Sequence, residues 1–239
     1  MRQKRVLSLA LAAALALSLS IPAGAAGGSS FSDVSDRTTA VNADVLRLMG
    51  VVDGVGGNRF NPGANLTRAE FCTMVVKFLQ KGDQVAMNAT RTIFSDVTSR
   101  HWALGYVNLA SSLTVGGGSS SSGSSDGGGD SAPAAALISG VGNGRFDPDA
   151  KITREQLAAV LYRYAGRVGM DVTARADLKL FPDAGSVSAY ATDALSWCVA
   201  NGIVNGTLEH GTAYLDPQGS ATRAQVATLM SRYLKLTEA

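Results

Sequence analysis

The chain has 239 residues, 46% of them apolar and 17% charged, with a formal net charge of +2. That length and composition suffice to bury a core in one or two domains and exclude a disordered polymer. The near balance of charge removes the electrostatic basis for binding DNA, RNA or an anionic lipid surface.

Residues 1–25 read as a secretory signal peptide. Arg2, Lys4 and Arg5 form a basic start, Val6 to Ile21 an apolar run, and Ala23-Gly24-Ala25 a small-residue cleavage site. The run has 16 residues, short of the roughly 20 that span a bilayer. Cleavage takes away three positive charges and leaves 214 residues with a net charge of −1. No second apolar run of membrane length follows, so the mature chain is expected to have no transmembrane segment.

Beyond the leader the chain repeats itself. Three repeats are predicted, over residues 31–80, 94–166 and 181–239. Each opens with Phe-x-Asp: Phe31 and Asp33, Phe94 and Asp96, Phe181 and Asp183. A short helical stretch follows. Its apolar stripe is Ala103, Tyr106, Val107 and Ala110 in the second repeat and Ala191, Ala194, Leu195 and Cys198 in the third. In the first repeat Val41, Val45, Leu48 and Met49 are the expected stripe, with nothing matching Trp102 or Tyr190 at its start. Gly clusters around Gly54, Gly140 and Gly206 read as turns needing positive φ. An apolar residue, a polar residue and proline come next: Phe60-Asn61-Pro62, Phe146-Asp147-Pro148 and Leu215-Asp216-Pro217.

Each repeat closes with Thr-Arg and a longer helix. The frames Phe71, Met74, Val75, Phe78, then Leu157, Val160, Leu161, Tyr164, then Val226, Leu229, Met230, Tyr233 coincide, and a second stripe widens each apolar face. These helices are expected to form a central three-helix bundle. A repeat of about forty residues cannot close a core alone, so the three should pool into one domain with approximate threefold internal symmetry. From opening Phe to closing Arg the repeats measure 37, 60 and 42 residues. The excess in the second is the Gly/Ser-rich stretch 116–133, expected to be a surface loop without packed structure.

The chemistry points to the helix starts. Thr67, Thr153 and Thr222 with Glu70, Gln156 and Gln225 spell capping boxes. Arg68, Arg154 and Arg223 then fall at the first helical position, where the dipole disfavours a cation, so each needs an acidic partner. One reading pairs them with Asp33, Asp96 or Asp183. The other supplies an acidic ligand held by the guanidinium fork. Trp102 and Tyr190 can stack on a sugar ring or simply pack their helix. Cys72 and Cys198 read as small buried residues more than as a disulfide, and no spacing suits a metal. No nucleophile with its base and no facing pair of carboxylates is recognisable, so no catalytic residue is assigned.

Together, Phe-x-Asp-Val, the helix starting at His101-Trp102, the Gly-Ile/Val-x-x-Gly turn, Phe-x-Pro and Leu/Ile-Thr-Arg-Ala-Glu resemble the S-layer homology (SLH) motif, three times over residues 31–239. The resemblance implies an all-α fold of three helix-loop-helix repeats in a pseudo-threefold domain around the central three-helix bundle. It implies non-covalent binding of acidic secondary cell-wall polysaccharide, pyruvylated sugars being typical, in grooves between repeats, without a cofactor. It makes Arg68, Arg154 and Arg223 ligand contacts. The candidate binding set is these arginines with Asp33, Asp96, Asp183, Trp102, Tyr190, Gly54, Gly140 and Gly206. The second repeat departs with Thr-Arg-Glu-Gln and the third with Ala221 and Leu215 where Ile and Phe are usual, so one or two grooves are expected to be inactive.

The expected protein is a secreted, cell-wall-associated anchoring module without an effector domain before Ala239. The alternative is a structural or assembly protein whose repeats bind other surface proteins or peptidoglycan. An enzyme is not expected.

Overall fold

A computed structural model describes residues 29–79, 84–115 and 135–238. The predicted signal peptide and the Gly/Ser-rich stretch 116–133 lie outside the described residues. Among those described, six α-helices carry the fold: α1 (Arg37–Leu48), α2 (Arg68–Phe78), α3 (Leu104–Ser112), α4 (Arg154–Arg167), α5 (Thr192–Ala200) and α6 (Arg223–Glu238). Two short antiparallel ribbons join them. β1 (Thr114–Val115) pairs with β2 (Ala135–Ala136), and β3 (Thr207–Glu209) with β4 (Thr212–Tyr214).

The closing helices α2, α4 and α6 start where the capping boxes place them. The Thr67 side chain accepts from the Glu70 amide while Glu70 accepts from the Thr67 amide, and Thr153 with Gln156 does the same. Thr222 and Gln225 exchange the same pair of bonds. All twelve positions of the shared apolar frame are buried. Phe78, Tyr164 and Tyr233 occupy equivalent places in the three helices, and their rings meet pairwise at 6.2, 6.1 and 5.8 Å. Edge-to-face and tilted contacts of this kind add to plain area burial.

The opening helices do not lie on the closing helix of their own repeat. Helix α3 packs on α2, α5 on α4, and α1 on α6. Each repeat therefore covers the core of the one before it, and the first covers the last. At α1 the expected stripe holds only in part, with Val45 and Met49 packed against the core. Val41 and Leu48 are exposed, and the buried face is Ala40, Ala43 and Leu46, with Asn42 donating to the Thr228 hydroxyl at 3.1 Å. The close approach of α1 to α6 favours small residues, which an apolar stripe read from the largest side chains misses.

Backbone hydrogen bonds link the segments preceding the closing helices. The Leu66 amide donates to Ala221, the Ala221 amide to Ile152 and the Ile152 amide to Leu66, so the bonds close a ring. The first two amides of each closing helix also cross to a neighbour. Arg68 and Ala69 donate to Ala150 and Pro148, Arg154 and Glu155 to Gly219 and Pro217, Arg223 and Ala224 to Ala64 and Pro62. Amides that a helix start leaves without intrahelical partners thus hold the repeats together. Cys72 and Cys198 are free and buried, and burial pushes both thiols above their ordinary value.

Candidate functional site

The arginines and aspartates singled out in the sequence are joined through the backbone and not through each other. Asp96 accepts from the amides of Phe146 and Asp147 at 2.8 Å each, while Arg68 Nε donates to the Phe146 carbonyl at 2.8 Å. The same plan recurs twice. Asp183 takes the amides of Leu215 and Asp216, and Arg154 donates to the Leu215 carbonyl. Asp33 takes those of Phe60 and Asn61, and Arg223 donates to the Phe60 carbonyl. Carboxylate and guanidinium hold opposite ends of one residue, the Asp from the same repeat and the Arg from its neighbour. Among the described residues no ion pair joins Arg68, Arg154 or Arg223 to a carboxylate.

The aspartates thereby stabilise an unusual turn. Asn61, Asp147 and Asp216 have φ of 58°, 58° and 48°, a left-handed conformation that Asn and Asp tolerate better than other side chains. Burial alone would raise the carboxyls of Asp33 and Asp96, but the backbone amide bonds outweigh it and hold both below the ordinary 3.8. In the unfolded chain these groups take up protons at higher pH than in the folded one. Their stabilisation is complete above roughly pH 4 and is lost as pH falls through the lowered folded values. Urea unfolding should therefore show stability falling below about pH 4, and Asp96→Asn should flatten that fall.

The glycine clusters do turn through positive φ, at Gly56, Gly57, Gly142 and Gly144 among others, but two of the named glycines need correction. Gly206 has φ +78°, but Gly54 and Gly140 do not lie in the left-handed region. Glycine is needed there for close approach. A Cβ on Gly140 would sit 2.5 Å from the Arg145 carbonyl oxygen and 2.7 Å from the Phe94 ring, and one on Gly54 would meet Arg59 O and the Phe31 ring at 3.0 and 3.1 Å. The opening Phe of each repeat packs against the glycine of its turn and leaves no room for a side chain there.

A partly open cleft of about 140 Å³ is walled by Asp53, Glu70, Met74 and Lys77 of the first repeat, Trp102 of the second and Arg223 of the third. Arg223 stacks over Phe60 at 4.8 Å and donates from Nη2 to the Asp53 carbonyl at 3.0 Å. Lys77 meets the Asp53 carboxylate at 2.8 Å. Trp102 is 60% exposed and faces this cleft.

The corresponding place on α4 is built differently. Arg68, 5% exposed, stacks over Phe146 and donates from Nη2 to the Ser139 carbonyl at 2.9 Å and from Nη1 to Gln156 at 3.3 Å. Tyr190, 54% exposed, donates its hydroxyl to Glu155 at 2.9 Å. Glu155 is 2% exposed and also accepts from the amide and hydroxyl of Ser188. Burial alone would raise this carboxyl, but the Ser188 and Tyr190 bonds keep it below its ordinary value. Tyr190 itself is pushed up to about 12 by burial and by its bond to Glu155.

Around α6, Arg154 donates from Nε to Leu215, and no hydrogen bond reaches its Nη1 or Nη2 among the described residues. Burial lowers all three arginines from their ordinary value while leaving them cationic.

A further set of cations was not singled out in the sequence. Lys77, Arg163 and Arg232 each lie nine residues after the Thr-Arg arginine, so superposing the three closing helices reveals them. Among the described residues no group of three or more His, Cys, Asp or Glu is placed to hold a metal, and no helix is long and apolar enough to cross a membrane.

Helices from successive repeats closing on one another, with an aromatic ring and cations converging from different repeats, define a protein made of helical repeats that share clefts. The S-layer homology domain family matches the chain in three segments, residues 49–72, 134–158 and 180–227. The chain is 31% identical to a cell surface protein of Thermoanaerobacter kivui over 62% of its length and 17% of that protein. It is 28% identical to an amylopullulanase of Thermoanaerobacterium thermosulfurigenes over 84% of its length and 9% of that enzyme. A cellulosome-anchoring protein of Acetivibrio thermocellus is 24% identical over 76% of the chain and 35% of that protein. The chain thus spans well under half of each of these relatives.

Proposed function

We propose that this protein is exported through residues 1–25 and anchors to the cell wall by binding acidic secondary cell-wall polysaccharide in clefts between its three repeats. The observation that carries this reading is the 140 Å³ cleft in which Trp102 and Arg223, from different repeats, face Lys77. An exposed indole offers a face to a sugar ring, and Arg223, whose hydrogen bonds go to carbonyls, keeps its charge for a ligand carboxylate. Relatives named for the cell surface and for anchoring support the location. The approximate threefold arrangement finds support in the closed ring of backbone bonds, and catalysis has no place in this reading.

The test is co-sedimentation of the protein with purified wall sacculi, before and after acid extraction of their polysaccharide. Binding should be strong to native sacculi, lost after extraction, and reduced by Trp102→Ala, whose exposed ring can be removed without opening the core. Undiminished binding to extracted sacculi would point to peptidoglycan or a protein partner instead.

A further inference from the structure

We propose that a second, separate cavity, formed where the segment joining the first two repeats lies on α3, binds one neutral sugar unit through the side-chain oxygen of Asn108. The site goes beyond the anchoring reading, since it shares no lining residue with the cleft of Trp102 and Arg223.

The joining segment is built onto α3. Its short 3-10 turn Ala86–Ala89 packs on the helix, and Gly105 makes the approach possible: a Cβ there would lie 2.4 Å from the Val85 carbonyl oxygen. Asn108 ties the segment down, donating from Nδ2 to the carbonyls of Asn88 and Arg91 at 2.6 Å each. Asn88, Arg91 and Asn108, with Ile93, Ser111 and Ser112, wall a cavity of about 280 Å³. That is near the lower end of the roughly 300–1,000 Å³ of small-molecule sites and suits a single sugar ring.

The tether is common to the repeats, but the cavity wall is not. The Leu46 carbonyl accepts from Val51 and Val52 as that of Cys198 accepts from Ile203 and Val204, so Asp44 in α1 and Ser196 in α5 hold the place of Asn108. Each binds the segment before its helix. Asp44 accepts from the Ser30 amide at 3.2 Å, and the Ser196 hydroxyl donates to the Ala176 carbonyl at 2.7 Å. Of the three, Asn108 alone keeps a buried atom over: it is 4% exposed, and no donor among the described residues reaches its Oδ1. The amide cannot turn to relieve this, because turning would set Oδ1 against the two carbonyls that Nδ2 now serves. A buried oxygen left in this way is costly, and a hydroxyl entering the cavity supplies its donor.

The walls decide the charge of the ligand. Ser111 and Ser112 donate to the carbonyls of Ile138 and Leu109 at 3.1 and 2.8 Å, which leaves their oxygens as further acceptors. Acceptors gathered around Asn108 disfavour an anion, and the exposed Arg91 disfavours a cation. Ile93, 39% exposed, offers an apolar edge. A neutral ring whose hydroxyls donate to Asn108 and the serines, with its C–H face on Ile93, answers every wall. Arg47 with Leu48 in α1, and Val199 with Ala200 in α5, replace the serine pair, so the site is particular to the second repeat.

Titration of the isotope-labelled protein with glucose, N-acetylglucosamine and the acidic galacturonate, followed through its amide resonances, provides the test. A neutral sugar should shift Arg91, Asn108 and Ser111 saturably with a Kd on the order of 1 mM, as befits so small a ligand. Galacturonate should bind about tenfold more weakly or worse. Asn108→Ala should abolish the shifts. Ser112→Tyr, at the exposed last residue of α3, should abolish them too by filling the cavity, and it leaves the Asn108 tether in place. No saturable shift with either neutral sugar would mean that water alone serves Asn108 and overturns the inference. Shifts centred on Trp102 and Arg223, tighter binding of galacturonate, or a Ser112→Tyr variant that binds like wild type overturns it equally. Sacculus binding before and after polysaccharide extraction bears on the anchoring reading alone, so the two fail separately.

Discussion

Replacing Arg68 with alanine is expected to destabilise the fold by about 3 kcal/mol, seen as a lower urea midpoint at unchanged slope. Its side chain is buried, stacks over Phe146 at 4.7 Å, and donates to two carbonyls of the second repeat. The substitution leaves the carbonyl of fully buried Phe146 without its donor, a loss of roughly 1–3 kcal/mol, and removes the cation–π contact as well. Arg68→Lys should restore little, since an ammonium cannot serve two carbonyls along a planar fork. Arg154→Ala should be milder, because Arg154 makes one hydrogen bond and faces Leu215 in place of a ring. Equal losses at the two positions would show that neither fork nor ring contributes. Substitution of all three arginines is for this reason a poor probe of ligand binding: loss of fold and loss of contact would coincide.

Phe78→Ala should cost about 4 kcal/mol, the range for large aromatic truncations in a closed core, and lower the melting temperature by roughly 10 °C. Phe78 touches Tyr164 and Tyr233 together, so its removal opens a cavity where rings from all three closing helices meet. Calorimetry would read the shift. A loss under about 1 kcal/mol would mean that the helices are held elsewhere and that the ring cluster is incidental.

The closing helices were legible in the sequence because local signals agreed: a capping box, an apolar frame repeated three times, and a proline turn ahead of each. Helix α1 was not, since its contact face is built from Ala40 and Ala43, whose smallness is the reason for the fit. The placement of each opening helix on a neighbouring repeat was also beyond reach, because any pairing of stripes satisfies periodicity equally well. The arginines illustrate a different limit. Their acceptors are carbonyl oxygens of Phe146, Leu215 and Phe60, and every residue has a carbonyl, so no letter marks the partner. Gly54 and Gly140 were recognised as constrained but through their dihedrals, whereas the constraint is the close approach of a carbonyl across the turn and of a ring from the opening of the repeat. Lys77, Arg163 and Arg232 were visible all along as a recurring basic position. The partners of two of them, Asp53 for Lys77 and the Ile203 carbonyl for Arg232, come from tertiary structure.

The closed circuit from Leu66 through Ala221 and Ile152 back to Leu66, with α1 seated on α6, sets this protein apart from open solenoids. A linear stack exposes two end units and can fray inward from either one. A loop of three has no outermost member: whichever unit is pulled away strips donors from one neighbour and acceptors from the other. Tension applied at a single point on a bacterial surface would then meet the resistance of the whole body at once, a mechanical property suited to a tether.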